Sequence, residues 1–452
     1  HDRGRITAAV QGRVVVVNNR RKSMPLKRTL GAVSAVLLIS SLAACGGDDA
    51  GGSGGGDSSA FEEGLGSRGP ITYVQGKDNS GIAQPLVDKW NADHPDEEVT
   101  LKEQTDEADQ QHDDLVRNFD AQNADYDVVS VDVIWTAEFA AKGYLQPLEG
   151  DMAIDTEGLL EPTVQAGAYG GKQYTSPMAS DGGLLYYRSD LIDKPPATWD
   201  EMIDMCPIAE KNDMGCYAGQ FQKYEGLTVN ASEAINGAGG SIVADDGKTP
   251  TVDSPEAAEG LGNLVDAYES GDIPEEAITY TEEEGRIAFE EGKLLFLRNW
   301  PYVYGLAATE DSSKVKGKFD VAPLPGTDGV GASALGGHNL GVSAYSDHKQ
   351  TAIDFVNFIL EEEQQKFLLT KGSLAPALES LYTDEALIKK FPYLPTLAES
   401  IANAVPRPIS PFYPAVTKAV QDNAYAAMKG ETDVETALKD MSDAIESASS
   451  SG

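Results

Sequence analysis

The sequence predicts an α/β protein whose folded part is divided into two lobes. From Ile71 onward, short β-rich runs alternate with amphipathic helical stretches, the pattern of strands joined by helical crossovers in largely parallel sheets. At 452 residues the chain exceeds the size at which a single core keeps growing. No internal repeat of roughly 20 to 50 residues points to a solenoid instead.

The elements follow in order. "ITYVQG" reads as the first strand, and "GIAQPLVDKWNADHP" as a helix with Ile82, Leu86 and Trp90 spaced by four along one face. "EVTLKEQ" is a second strand, "HDDLVRNFDAQ" a helix, and "YDVVSVDV" a buried third strand that runs into the helix start "IWTAEFAAKG". Further strands are expected at "GLLYYRSDL", "KLLFLRN", "FDVAPLP" and "NLGVSAYS". "KQTAIDFVNFILEEEQQKFLLTKG" and "FYPAVTKAVQDNAYAAMKG" read as helices that end at glycine. After "KLLFLRN", Asn299 is expected to cap a helix whose first turn holds Pro301.

The N-terminus reads as an export signal. "MPLKRTLGAVSAVLLISSLAAC" has Lys27 and Arg28, then an apolar run too short to span a bilayer, then small residues before Cys45. The closing "LAAC" resembles the bacterial lipobox, which implies cleavage before Cys45 and a lipid on its sulfur. Residues 1–23 precede Met24 and read as upstream sequence, residues 24–44 as the signal peptide, and residues 45–70 as the lipidated cysteine with a Gly/Ser/Asp-rich tether. Cys206 and Cys216 are expected to pair in an oxidising exterior, closing a short loop and contributing roughly 2–3 kcal/mol.

Composition narrows the function. The formal charge is −38, and eight basic residues but one acidic residue precede Cys45, so the remainder is more acidic still. Such a field repels nucleic acid and acidic lipid surfaces. GxSxG, HExxH and GxxxxGK[ST] are missing, and there are only five histidines. An enzyme would therefore need a carboxylate mechanism, and Asp132 with Asp181 is the pair available for glycoside hydrolysis.

Ligands of open parallel sheets sit beyond the carboxyl ends of the strands. Asp132, Asp181, Trp300 and Asn339 stand at such junctions, and Asn79 is a further binding candidate. Carboxylates and guanidinium groups bind adjacent sugar hydroxyls in pairs, and flat aromatics stack on the C–H faces of the ring. Arg407 lies between prolines in "VPRPISPFYP", on a segment that cannot be helical.

Seven collinear blocks, "DVVSVDVIWTAEFAAKGYLQPL", "DGGLLYYRSDL", "KPPATWDEM", "QKYEGL", "RNWPYVYGL", "ALGGHNLGVS" and "AVPRPISPFYP", carry a resemblance over residues 71 to 445. The chain resembles the carbohydrate-binding lipoproteins of ATP-binding-cassette importers, extracellular solute-binding family 1, and within it the trehalose/maltose-binding group. The resemblance implies a two-lobe periplasmic-binding-protein-like fold with a hinge and an interlobe sugar-binding cleft. Lobe I takes residues 71–178 plus 340–379, and lobe II takes 179–339 plus 380–452. It implies that Asp132, Asp181, Trp300 and Arg407 contact the sugar, with Glu282 near it. Tyr302 is placed to reach the ligand, and Tyr304, four residues from Trp300, to support the indole.

Two departures bear on specificity. Relatives can carry a basic pair where this chain has Gln111 and His112, and a tryptophan where His338 and Asn339 follow the glycine pair. The implied function is capture of a disaccharide or short oligosaccharide by a monomer anchored through Cys45 to the outer face of the cytoplasmic membrane. The sugar would pass to a permease pair with a cytoplasmic ATPase, with no cofactor, metal or catalytic residue. The alternatives are a secreted glycoside hydrolase and a sugar-sensing adaptor without transport.

Overall fold

The computed structural model describes residues 58–451. The signal segment, Cys45 and most of the tether lie outside the described residues. Within the stretch expected as tether up to residue 70, Ser58–Glu62 forms a short helix. Lys349, fully buried, donates to the Ala60 carbonyl at 2.5 Å, and the Gln350 N–H donates to the Ser67 carbonyl. A buried ammonium needs acceptors, and this segment supplies one.

The strands are β1 (Ile71–Gln75), β2 (Val99–Glu103), β3 (Val128–Asp132), β4 (Ala168–Tyr169), β5 (Lys172–Gln173), β6 (Thr175–Gly182) and β7 (Leu184–Tyr187). They continue with β8 (Gly215–Ala218), β9 (Leu294–Asn299), β10 (Asp320–Ala322), β11 (Ala334–Val342), β12 (Ala375–Pro376) and β13 (Val405–Pro406). A seven-stranded sheet has the order β12-β6-β11-β3-β1-β2, with β13 paired to β11 off that path. A four-stranded sheet has the order β10-β7-β9-β8, and β4 pairs with β5. The chain passes from the larger sheet to the smaller between β6 and β7, and returns between β10 and β11.

The sheets are mixed rather than largely parallel. β1 pairs in parallel with β2 and β3, the three joined by helical crossovers, whereas β11 runs antiparallel to β3 and β6, and β7 antiparallel to β9 and β10. The strand predictions found alternation with helices but not the direction of the strands that thread between sheets, since direction depends on how distant segments meet.

Three cores hold these layers. Tyr73 and Val128 face one side of the larger sheet with Leu86, Trp90 and Phe355. Their neighbours Val74 and Val129 face the other side with Leu115, Phe119 and Trp135. Strands buried on both faces therefore read as near-continuous apolar runs. The smaller sheet is buried on both faces, and Leu185, Phe296 and Leu297 share one core with Leu227 and Ile235 of helix Glu225–Gly237, Leu261 of Pro255–Ser270 and Val420 of Tyr413–Met428.

Two local expectations are corrected. "KQTAIDFVNFILEEEQQKFLLTKG" is two helices, Lys349–Leu360 and Glu362–Gly372, broken at Glu361, whose ψ of 142° leaves the helical region. Asn299 ends β9, and its side chain accepts from the Trp300 N–H at 2.8 Å, while Pro301 occupies the cap of helix Tyr302–Thr309. Cys206 and Cys216 form the expected disulfide, which ties helix Cys206–Lys211 to β8. Among the described residues no helix is long and apolar enough to cross a membrane.

Candidate functional site

A cavity of about 250 Å³ opens at the carboxyl ends of β1 and β3, where Gln75 and Asp132 lie, and is closed on its other side by residues following β9. Nine of the ten residues singled out from the sequence line it: Asn79, Gln111, Asp132, Asp181, Glu282, Trp300, Tyr302, His338 and Arg407. Asn339 does not. It is fully buried and donates its amide to Thr175 Oγ1 at 2.9 Å. His338 pairs with Asp132 across β11 and β3, so its neighbour Asn339 faces the opposite side of the sheet.

Asp132 ends β3, and its Oδ1 accepts from the Ile134 N–H at 3.3 Å, capping the turn Val133–Trp135. The same oxygen accepts from Arg407 Nη2 at 2.9 Å. Arg407 follows β13, which β11 holds in register at Ala334 and Leu335. Its Nη1 donates to Glu225 Oε1 at 2.6 Å, while its buried Nε–H has no partner among the described residues. Such a donor is normally satisfied.

Glu225 was singled out only as a letter of the "QKYEGL" block, with no role given to it. It opens helix Glu225–Gly237 and also accepts from Tyr413 Oη at 2.5 Å and Thr417 Oγ1 at 2.6 Å. Burial pushes its carboxyl up to about 7, with Arg407 opposing the shift and Asp132 adding to it. Nothing in the local sequence marks it, because its partners come from residues 407, 413 and 417.

Asp181 pairs with Gly336 across β6 and β11. Its carboxylate has no hydrogen-bond or ion-pair partner among the described residues, and burial raises it to about 7, with Arg298 opposing and Asp132 adding. A side chain at Gly336 would stand 2.7 Å from the Trp300 indole, so glycine is what lets the ring lie against β11.

Trp300 rests on the guanidinium of Arg298, 3.8 Å from the ring centroid. Tyr304 does not support the indole as expected; it packs on Tyr393 at 4.3 Å and Phe319 at 5.2 Å. Helical spacing from Trp300 fails here because Trp300 precedes the helix that carries Tyr304. Tyr302 Oη donates to Glu283 at 2.6 Å, and Tyr224 Oη to Glu282 at 2.5 Å, while burial raises the Glu282 carboxyl.

On the opposite wall, Gln111 donates to the Thr105 carbonyl at 2.9 Å and packs against Gly76. His112 pairs with Glu138 at 2.7 Å and is not a lining residue. Burial lowers the His338 pKa, with Asp132 opposing and Arg407 assisting. Asn79 sits exposed at the rim, on a loop organised by Asp78, which accepts from the N–H groups of Ser80, Gly81 and Ala83. No group of three or more His, Cys, Asp or Glu among the described residues is placed to hold a metal.

The chain is 34% identical over 301 residues to a Deinococcus radiodurans protein named "Probable ABC transporter-binding protein", covering 64% of this chain and 71% of that one. It is 27% identical over 319 residues to a maltotriose-binding protein of Pyrococcus abyssi, covering 68% and 66%. The structure of maltose-bound MalE3 from T. maritima superposes with a TM-score of 0.79 at 32% identity, covering 83% of this chain and 99% of that one. The model of the bacterial extracellular solute-binding proteins matches residues 75–366. The chain therefore belongs to the bacterial extracellular solute-binding protein family, whose members bind solutes rather than transform them.

Proposed function

We propose that this protein captures a disaccharide or short α-glucoside of the maltose or trehalose type outside the cell and delivers it to an ATP-driven permease. The observation that carries the reading is one cavity holding an indole face, the Asp132–Arg407 pair and the Asp181 carboxylate, which has no partner among the described residues. The indole suits the C–H face of a pyranose, and the charged groups suit its paired hydroxyls. Two of the named relatives bind maltose or maltotriose, which supports the same ligand class.

In this reading β1, β2, β3 and β12 belong to lobe I and β7 to β10 to lobe II, β6 and β11 run across the lobe boundary, and the crossovers at β6–β7 and β10–β11 are part of the hinge about which the cleft closes. Selectivity arises because a cleft group left unpaired after desolvation costs about 1–3 kcal/mol. The protein is a monomer held to the outer face of the membrane by a lipid on Cys45, and the sugar leaves unchanged.

The test is a thermal-shift screen of the folded domain against maltose, trehalose, sucrose and longer α-glucosides, followed by calorimetric titration of each hit. Saturable binding without release of monosaccharide is expected. If no sugar raises the melting temperature, the reading fails.

A further inference from the structure

We propose that Glu233 and Arg298 are positioning residues for Trp300, holding the indole at a fixed attitude toward the cleft and tying it to the chain crossovers at β6–β7 and β10–β11. The inference rests on the sugar-binding reading above but concerns residues that do not line the cavity.

Arg298 and Glu233 are 1% and 7% exposed, a fully internal ion pair. Arg298 Nε and Nη2 donate to the two Glu233 oxygens at 2.7 and 2.5 Å, a fork that fixes the plane of the guanidinium. Gln220 accepts from Nη1 at 3.1 Å and donates back to the Arg298 carbonyl at 3.0 Å. With each guanidinium nitrogen held by a hydrogen bond, the group lies over one face of the Trp300 ring. Since Arg298 is not a lining residue, it covers the face turned away from the cavity and leaves the other for a ligand.

The same carboxylate reaches the crossovers. Glu233 Oε1 accepts from the Ala334 N–H at 3.0 Å, at the start of β11. The Gly183 N–H, between β6 and β7, donates to Ser333 Oγ at 2.6 Å. A side chain at Gly183 would come within 2.8 Å of Arg298 Nη2 and 2.9 Å of Glu233 Oε1. Two crossovers and the stacking ring therefore share one support. Burying an ion pair is costly in desolvation, so apolar residues would fill this space at least as stably. What the pair adds is a fixed ring, and a platform that is already ordered loses little entropy when a ligand stacks on it.

The experiment labels the four tryptophans with 5-fluorotryptophan and records fluorine NMR spectra of the protein without ligand, with Trp300 assigned through W300F. Glu233→Gln should shift or broaden the Trp300 resonance and leave those of Trp90 and Trp135 unchanged. If all resonances collapse, the measurement moves to Arg298→Lys, which keeps the charge and loses the fork. An unchanged Trp300 resonance in a folded variant overturns the proposal. In calorimetry with maltose, E233Q should weaken binding at least fivefold in the wild-type background and have no further effect in W300A. An equal loss in both backgrounds means that Glu233 acts elsewhere and also overturns it. A wild-type protein that binds no maltose counts against the ligand assignment alone, and the Trp300 resonance then decides the positioning role.

Discussion

The Asp132 carboxylate and the Arg407 guanidinium, separated by most of the folded chain, stand 2.9 Å apart, and the same guanidinium holds the buried Glu225 at 2.6 Å. Arg407 is thus both a wall of the cleft and the counter-charge of an internal carboxylate. Arg407→Ala should weaken sugar binding at least tenfold, about 1.4 kcal/mol. From sequence alone the substitution would be expected to spare the fold, but the ion pair predicts a cost of about 3 kcal/mol in stability as well. Adding Glu225→Gln should restore part of that stability and none of the affinity. Urea unfolding of R407A coincident with wild type would remove the pair from the account.

The stacking platform is tested from its front edge. Trp300→Ala should cost at least tenfold in affinity for maltose. Gly336→Ala should also weaken binding, because a methyl 2.7 Å from the ring edge pushes the indole into the cavity while Arg298 blocks retreat. Calorimetry checks both, and G336A with wild-type affinity would mean that the ring has room to move.

Asp181 gives the cleft a pH signature. Its folded value of about 7 lies above the usual 3.8, so the native state keeps a proton that the unfolded chain releases. The stability this contributes is complete below about pH 4 and is lost as the pH rises through about 7. Asp181→Asn keeps the shape without the charge. Relative to wild type, its melting temperature should therefore be higher at pH 8 than at pH 5, with a difference on the order of 1–2 kcal/mol. A flat difference across that range would contradict the assignment.

The Cys206–Cys216 bridge lies in the core around the smaller sheet, and neither cysteine lines the cavity. Replacing both with serine should lower stability by about 2–3 kcal/mol. Maltose affinity, measured below the new melting temperature, should stay within twofold.

Much of this molecule is legible in one dimension. Apolar runs in β1, β3 and β9, the four-residue spacing of Ile82, Leu86 and Trp90, and Pro–Arg–Pro at 406–408 are local properties, and the elements they specify stand where the pattern puts them. The junction residues were found the same way, because a polar or aromatic side chain at the end of an apolar run has a short list of uses. Asn339 shows the limit. A one-residue step along β11 separates a lining side chain from a buried one, and only the pairing with Asp132 fixes that parity.

What tertiary structure alone decided is the company these residues keep. The sequence by itself determined an exported α/β chain with Asp132, Asp181, Trp300 and Arg407 at its turns. The fold decided that Glu225 and Glu233, eight residues apart on one helix, stand under Arg407 and Arg298 respectively. It also decided that sheet direction is mixed, that Tyr304 packs away from the indole, and that Asp181 has no hydrogen-bond or ion-pair partner among the described residues. The reason is physical. Hydrophobic periodicity is a property of neighbours in the chain, whereas a buried charge takes its partner from whichever segment the packing brings within about 3 Å.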